Sequence, residues 1–455
     1  MSSERMSWRK LLSKKTLSLK SEDGQEESDF YRDIQSIVFS YAFRRMQNKT
    51  QLLPVPELDF VHTRLTHSLE AFCIGRELGR EVGKVVVEIE KDKLKDFTPD
   101  SFANIVGAAC LAHDIGNPAF GHSGEDAFRD FFKYNDSGKD IIENLNDYQK
   151  NDFLYFEGNA QGFRTLNKED KILPKLTCAT LASFIKYPRE SRHIESENRK
   201  RKDQNKFGFF QTEKDLFIKL VKEVELIKLG RNDTLAYCRH PLAYLVEAAD
   251  DISYKMFDID DGFRLRLFNL DERINGTDES LKESLEKIIK AGGKIPDEKK
   301  EKLNDEKDIL AYLRSKSIES LIKQIEKAFM DNYDKIMEGE FECDLMEKIS
   351  SKKEVENLDK IAKEKIYKYF PVLEIEAAGF KTIGGLLEAF LKAVIKKDSR
   401  YSRKVKEMIP PEYDIDNGGD YKKAMKIVDY ICGMSDDYAI SLYKKIHGIS
   451  LPRLY

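Results

Sequence analysis

The chain has 455 residues, 41% hydrophobic and 11% aromatic, enough to bury a large core in two or three domains. Lys and Arg (77) nearly cancel Asp and Glu (81), leaving a formal net charge of −4, so no overall field marks a dedicated nucleic-acid binder and any polyanion site must be local. No apolar run reaches the roughly 18 residues that a membrane helix needs, and the start MSSERMSWRK is polar and basic, so no membrane partner and a cytoplasmic location are expected.

Apolar positions recur at three- and four-residue spacing through most of the chain, which predicts an all-α protein. Residues 1–29 are polar and read as a partly loose segment, with the first helix over 29–46. A core over 30–270 holds the chemistry. Charge-rich stretches at 190–206 and 290–308 read as surface insertions, and 271–455 reads as a helical region that completes the fold and supplies oligomer contacts. Six cysteines, Cys73, Cys110, Cys178, Cys238, Cys343 and Cys432, include no CxxC pair and read as reduced, buried small hydrophobes.

Only seven histidines occur, and four of them, His62, His67, His113 and His122, crowd into one stretch of the front half. Over 59–87 the spacing of Val61, Leu65, Leu69 and Phe72 predicts one buried helical stripe with His67 beside it. The small apolar run NIVGAACLA predicts a buried helix ending in the adjacent pair His113 and Asp114, with Gly116 as its stop. A third helix, HPLAYLVEAADDISYKMFDIDD, carries Asp250 on one stripe with Tyr254 and Asp258, whereas Asp251 sits between Glu247 and Lys255 and reads as a solvated ion-pair partner. His67, His113, Asp114 and Asp250 then offer two imidazoles and two carboxylates. Such a set suits a divalent ion with open positions, for which manganese, iron, magnesium and nickel all qualify.

These residues reproduce the H…HD…D signature of the HD superfamily. The finer motifs HTRLTHSLE, HDIGNPAFGHSGE, FEGNAQGFR and EAADDISY, followed by AGFKTIGGLL and ICGMSDDYAISLY, resemble those of bacterial dGTP triphosphohydrolases over most of residues 30–447. The resemblance implies an all-helical fold, a hexamer or tetramer, and hydrolysis of a dNTP to deoxynucleoside and inorganic tripolyphosphate by attack at the α-phosphorus. By resemblance His122 and Glu125 are the catalytic pair, with His122 in proton transfer and Glu125 orienting it.

The same resemblance places Arg64 and Tyr254 on phosphate oxygens, Asp258 on the sugar, and Gln51 and Leu52 beside the sugar and base. Lys186 and Lys206 are candidates for phosphate contact or plain surface lysines. Asn159 and Arg164 are either substrate contacts or braces of the FEGNAQGFR turn. Rival readings are another HD phosphohydrolase, or a nucleotide-sensing or single-strand-binding protein that uses an inactive HD pocket. The latter draws on the basic run at 199–202, itself more simply a solvated loop. An allosteric nucleotide and single-stranded DNA stay open as further partners.

Overall fold

The helical periodicity is realised across the described residues, where β-structure is limited to isolated bridges. The computed structural model describes residues 5–17, 29–51, 61–168, 175–191, 201–229, 235–274, 276–293, 303, 305–396 and 399–450. In chain order α1 (Trp8–Leu11), α2 (Phe30–Phe39) and α3 (Tyr41–Arg45) lead to α4 (Arg64–Ile89), α5 (Pro99–Ala112) and α6 (Gly121–Tyr134). Shorter helices α7 (Asp136–Ile142), α8 (Asp147–Leu154), α9 (Gly158–Leu166), α10 (Cys178–Phe184) and α11 (Lys214–Glu223) then run to α12 (Ala243–Arg264). The remainder comprises α13 (Leu281–Ala291), α14 (Glu306–Asp331), α15 (Tyr333–Met337), α16 (Lys352–Lys365), α17 (Phe370–Leu391), α18 (Arg400–Glu407), α19 (Asp420–Cys432) and α20 (Asp436–Ile446).

Two apolar cores form, and they do not follow chain order. One gathers α4, α5, α10, α12 and α14 with the N-terminal Trp8, Leu11 and Leu12. The other joins α6, from the front half, to α17 and α19. The break expected near 270 is therefore not a break between cores, since α13 and α14 complete the first. Residues 5–17 of the polar N-terminal segment are anchored as well: Trp8 is buried, and its Nε1 donates to the Tyr333 hydroxyl at 2.7 Å.

The buried face of α4 differs from the expected stripe. Leu69 is 41% exposed and Leu65 and Phe72 are half-buried, while His67, Ala71, Ile74, Gly75, Leu78, Gly79 and Val82 face inward. The reason is close approach to α5. Glycines carry that contact, and a pattern read from large side chains passes over them. A Cβ at Gly79 would lie 2.8 Å from the Phe102 carbonyl oxygen, a backbone atom that cannot swing away. We expect Gly79→Ala to destabilise the fold by about 1–3 kcal/mol in denaturant unfolding, as overpacking does; an unchanged midpoint would show that the helices can part freely.

Gly116 likewise serves packing rather than helix termination. α5 ends at its C-cap His113, Gly116 is not left-handed, and a Cβ there would strike the Gly158 carbonyl and the Gly162 amide of α9. Of the cysteines, all free thiols, Cys73 is exposed and Cys343 half-buried, while the other four are buried. The charged stretch at 190–206 is tied down where described: Glu190 is buried against Lys214, Arg201 pairs with Glu342, and Lys202 with Asp344 and Glu347. No helix among the described residues is long and apolar enough to cross a membrane.

Candidate active site

The first turn of α4, opened by a capping box between Thr63 and Thr66, places Arg64 and His67 inside the protein. α5 delivers His113 and Asp114 immediately beyond its last turn, and α12 crosses both with Asp250. His67 Nε2 lies 3.1 Å and His113 Nε2 3.4 Å from Asp250 Oδ1, and Asp114 Oδ1 is 3.5 Å from His113 Nε2. The four expected ligands thus converge, and donor atoms of His67, His113 and Asp114 lie within 4.8 Å of one another.

Three of these four residues are held from behind. His113 Nδ1 donates to the Cys110 carbonyl at 2.6 Å, which aims Nε2 at the cluster. His67 Nδ1 lies 3.3 Å from the Ser253 hydroxyl. Asp114 accepts from Arg64 Nη1 at 2.6 Å on one oxygen and from Asn117 Nδ2 on the other.

Charge separation inside the cluster is strong. Burial works against a charged His113, yet the facing Asp114 and Asp250 push its pKa up to about 9. Burial would raise Asp250, but the two imidazoles outweigh it and hold the carboxyl well below its usual range. Burial opposes ionisation of Asp114 too, and Arg64 with the histidines keeps it low.

The residues fit a divalent cation on two grounds. His113 Nε2 is buried and has no hydrogen-bond partner, although it faces two carboxylates. The surrounding cavity, about 290 Å³, is lined by six carboxylates (Asp114, Glu125, Glu247, Asp250, Asp251, Glu376) against three cations (Arg64, Lys186, Lys206). An anionic substrate would meet net negative walls unless a cation were bound there too.

His122, the second residue of α6, is exposed into this cavity, and among the described residues no hydrogen bond engages its ring. Glu125 does not orient it. The Glu125 carboxylate instead accepts from the Gly158 amide at 2.6 Å, with Arg129 at 3.7 Å, so the expected His–Glu pair is not formed. Three residues along α6 the Glu125 side chain turns toward α9, whose Gly158 has no side chain to hold it off.

Lys186 and Lys206 both line the cavity and are not plain surface lysines. Lys186 is 3.0 Å from Glu247, which outweighs burial and raises its pKa; Lys206 is 3.2 Å from Glu157 with the same outcome. Gln51, Asn159 and Tyr254 line the cavity, and Asn159 Nδ2 also donates to Glu157 at 3.3 Å. Leu52 lies outside the described residues.

Two residues are elsewhere. Arg164 is a brace, bound to Asp429, Glu213 and Thr212, away from the cavity wall. Asp258 sits behind Tyr254, its carboxyl pushed up to about 8 by burial and by Asp261 while it takes a bond from the Tyr367 hydroxyl at 3.3 Å. His62, the remaining histidine of the crowded stretch, is clamped between Glu70 at 2.9 Å and Asp261 at 2.8 Å.

Asp251 corrects the stripe argument. It lines the cavity, burial raises it to about 7, and Lys255 pairs with Asp359 instead. α12 presents Val246, Glu247, Asp250, Asp251 and Tyr254 together, so the cavity spans more than one helical stripe. Tyr187, Asn117, Ile375 and Glu376 also line it and went unassigned. Asn117 was legible within HDIGN, whereas Ile375 and Glu376 arrive only through the packing of α17 on α6.

Comparison with known proteins agrees with this geometry. The HD domain family matches residues 64–182, and the phosphohydrolase-associated domain residues 348–445. A deoxyguanosinetriphosphate triphosphohydrolase-like protein of Synechocystis sp. is 39% identical over 465 residues, covering 98% of this chain and 100% of that protein. A protein of the same description from Pseudomonas aeruginosa is 36% identical, covering 98% and 100%. The deoxyguanosinetriphosphate triphosphohydrolase of Salmonella typhimurium is 29% identical, covering 92% and 94%. A convergent His, His-Asp and Asp set on three packed helices, within a chain that matches such proteins from end to end, makes this a hydrolase of the HD type that belongs to the deoxyguanosinetriphosphate triphosphohydrolase-like family.

Proposed function

We propose that the protein is a cytoplasmic, metal-dependent dNTP triphosphohydrolase, with dGTP as the first substrate to test, that releases deoxynucleoside and inorganic tripolyphosphate. The observation that carries this is the buried, unpartnered His113 Nε2 between Asp114 and Asp250, in the same cavity as the free imidazole of His122. His67, His113, Asp114 and Asp250 would hold manganese, magnesium, iron or nickel. A bound divalent ion supplies Lewis-acid polarisation of the phosphoryl group and a lowered pKa for the attacking water.

The chain's own residues do the rest. Arg64 is positioned by Asp114 and keeps a buried Nε without a partner, so phosphate oxygens are its natural acceptors. Lys186 and Lys206 line the same cavity, each already neutralised by a glutamate, and bind phosphate as members of balanced pairs rather than as free charges. Tyr254 offers its hydroxyl to phosphate and its ring to the deoxyribose, with Asp258 and Tyr367 fixing it from behind. Gln51, which lines the same cavity, is assigned to the sugar and base by the family resemblance, and Asn159 lines the cavity as well.

His122 moves a proton to or from the reacting oxygens, and Glu125 fixes the start of α9 against α6 so that the cavity keeps its shape. A sensor with an inactive pocket would have no use for an imidazole left free at the mouth of the ligand cluster. Assembly into a hexamer or tetramer is part of this reading through the family resemblance, with exposed Tyr31, Phe39, Tyr41 and Phe370 as candidate contacts.

Anion-exchange analysis after incubation with each dNTP and GTP, with Mn²⁺ or Mg²⁺, tests the reading. Deoxynucleoside plus tripolyphosphate, lost with EDTA, is expected. Monophosphate or diphosphate products would move the protein to another HD phosphohydrolase activity, and no turnover of single dNTPs or of their mixtures would favour a sensor.

A further inference from the structure

The turn that carries His122 is backbone-strained. Phe120 and Gly121 are consecutive left-handed residues, at φ 64° and 59°, and Phe120 is a bulky residue in a conformation that persists only where its surroundings impose it. Three contacts impose it. The Phe120 side chain is buried against Gly379 of α17, where an added Cβ would come within 2.9 Å of it. Gly121 lies against Arg64, so close that an added Cβ would be 2.5 Å from Nη2. The third contact comes from the start of α20: Asp436 Oδ1 accepts the Phe120 amide at 3.1 Å.

The same carboxylate reaches a second wall of the cavity. Asp436 Oδ2 accepts the Thr50 amide at 2.8 Å, one residue before Gln51. Next to it, Lys49 Nζ donates to the Cys432 carbonyl at 2.7 Å and to the Asn117 carbonyl at 2.6 Å, and Asn117 in turn bonds Asp114. The end of α19 and the start of α20 therefore hold both the 49–51 loop and, directly at Phe120 and through Lys49 at Asn117, the 117–120 turn. Asp436 is 8% exposed, and both its oxygens are spent on amides of other segments rather than on capping its own helix.

We propose that Asp436 is a positioning residue that holds His122 and Gln51 against the ligand cluster, so that the C-terminal helices set the geometry of proton transfer. This rests on His122 as the proton-transfer group. An Asn at 436 keeps the size but turns one acceptor into a donor, leaving the Phe120 or the Thr50 amide unpaired.

Asp436→Asn should lower kcat at least about tenfold with metal content unchanged, and should lower it by clearly less in a His122→Ala background, where only the part acting through Gln51 is left. Amide exchange at Thr50 or Phe120 should quicken at least about tenfold, while the exposed neighbour Asp437→Asn behaves as the unmodified enzyme. A kcat within about twofold of the parent, or equal losses with and without His122, would overturn the proposal. If the unmodified enzyme turns over no dNTP, the reading of His122 has failed, and the exchange rates alone decide whether Asp436 holds the turn. If Asp436→Asn does not fold, exchange in the unmodified protein decides: both amides must be protected, and rapid exchange at either overturns the proposal.

Discussion

Asp250→Ala is expected to abolish stoichiometric metal binding and to lower kcat/KM by at least about 10³-fold, the kinetic equivalent of the several kcal/mol that a metal contributes to a phosphoryl transition state. Asp250 Oδ1 lies within 3.4 Å of both imidazoles, so its loss leaves His67 and His113 without the carboxylate that draws them together. Asp251→Asn should retain the metal, because Asp251 contacts neither imidazole, although its place on the cavity wall makes some loss of turnover reasonable. Elemental analysis of dialysed variants with steady-state kinetics checks both. Metal retained in Asp250→Ala and lost in Asp251→Asn would mean that the wrong face of α12 has been assigned.

His122→Ala is expected to lower kcat by about 10²- to 10⁴-fold, the range that proton transfer by a positioned side chain contributes. Metal and nucleotide affinity should hardly change. The imidazole has no structural partner to lose: it bonds nothing, stands exposed in the cavity, and is carried by a helix whose packing rests on Phe128, Phe131 and Phe132. Binding isotherms beside single-turnover rates separate the two effects. Turnover near that of the parent would remove His122 from the chemistry, and a large loss of nucleotide affinity would make it a binding residue.

The ligand set was legible because its signals are local. The apolar run before His113, the adjacency of His113 and Asp114 and the helical spacing around Asp250 are written in neighbouring residues, and helices pack in the way those patterns require. What escaped depends on tertiary contact. Leu69 points outward because Gly75 and Gly79 let α4 and α5 approach on the other side, and a stripe read from large side chains passes over glycines. Asp251 faces the cavity because that cavity is wider than a single helical stripe. Glu125 turns to the Gly158 amide because α9 comes within reach, which nothing near GHSGE announces. Asp436, quoted within a C-terminal motif, acquires its role from amides more than 300 residues away in sequence.

The site of water attack is most directly tested by carrying out the reaction on dGTP in H₂¹⁸O with the divalent ion present and locating the label by mass spectrometry. Attack at the α-phosphorus with release of the 5′-oxygen places one ¹⁸O in tripolyphosphate and none in deoxyguanosine. Label in deoxyguanosine, or release of mono- or diphosphate, would contradict the proposed reaction.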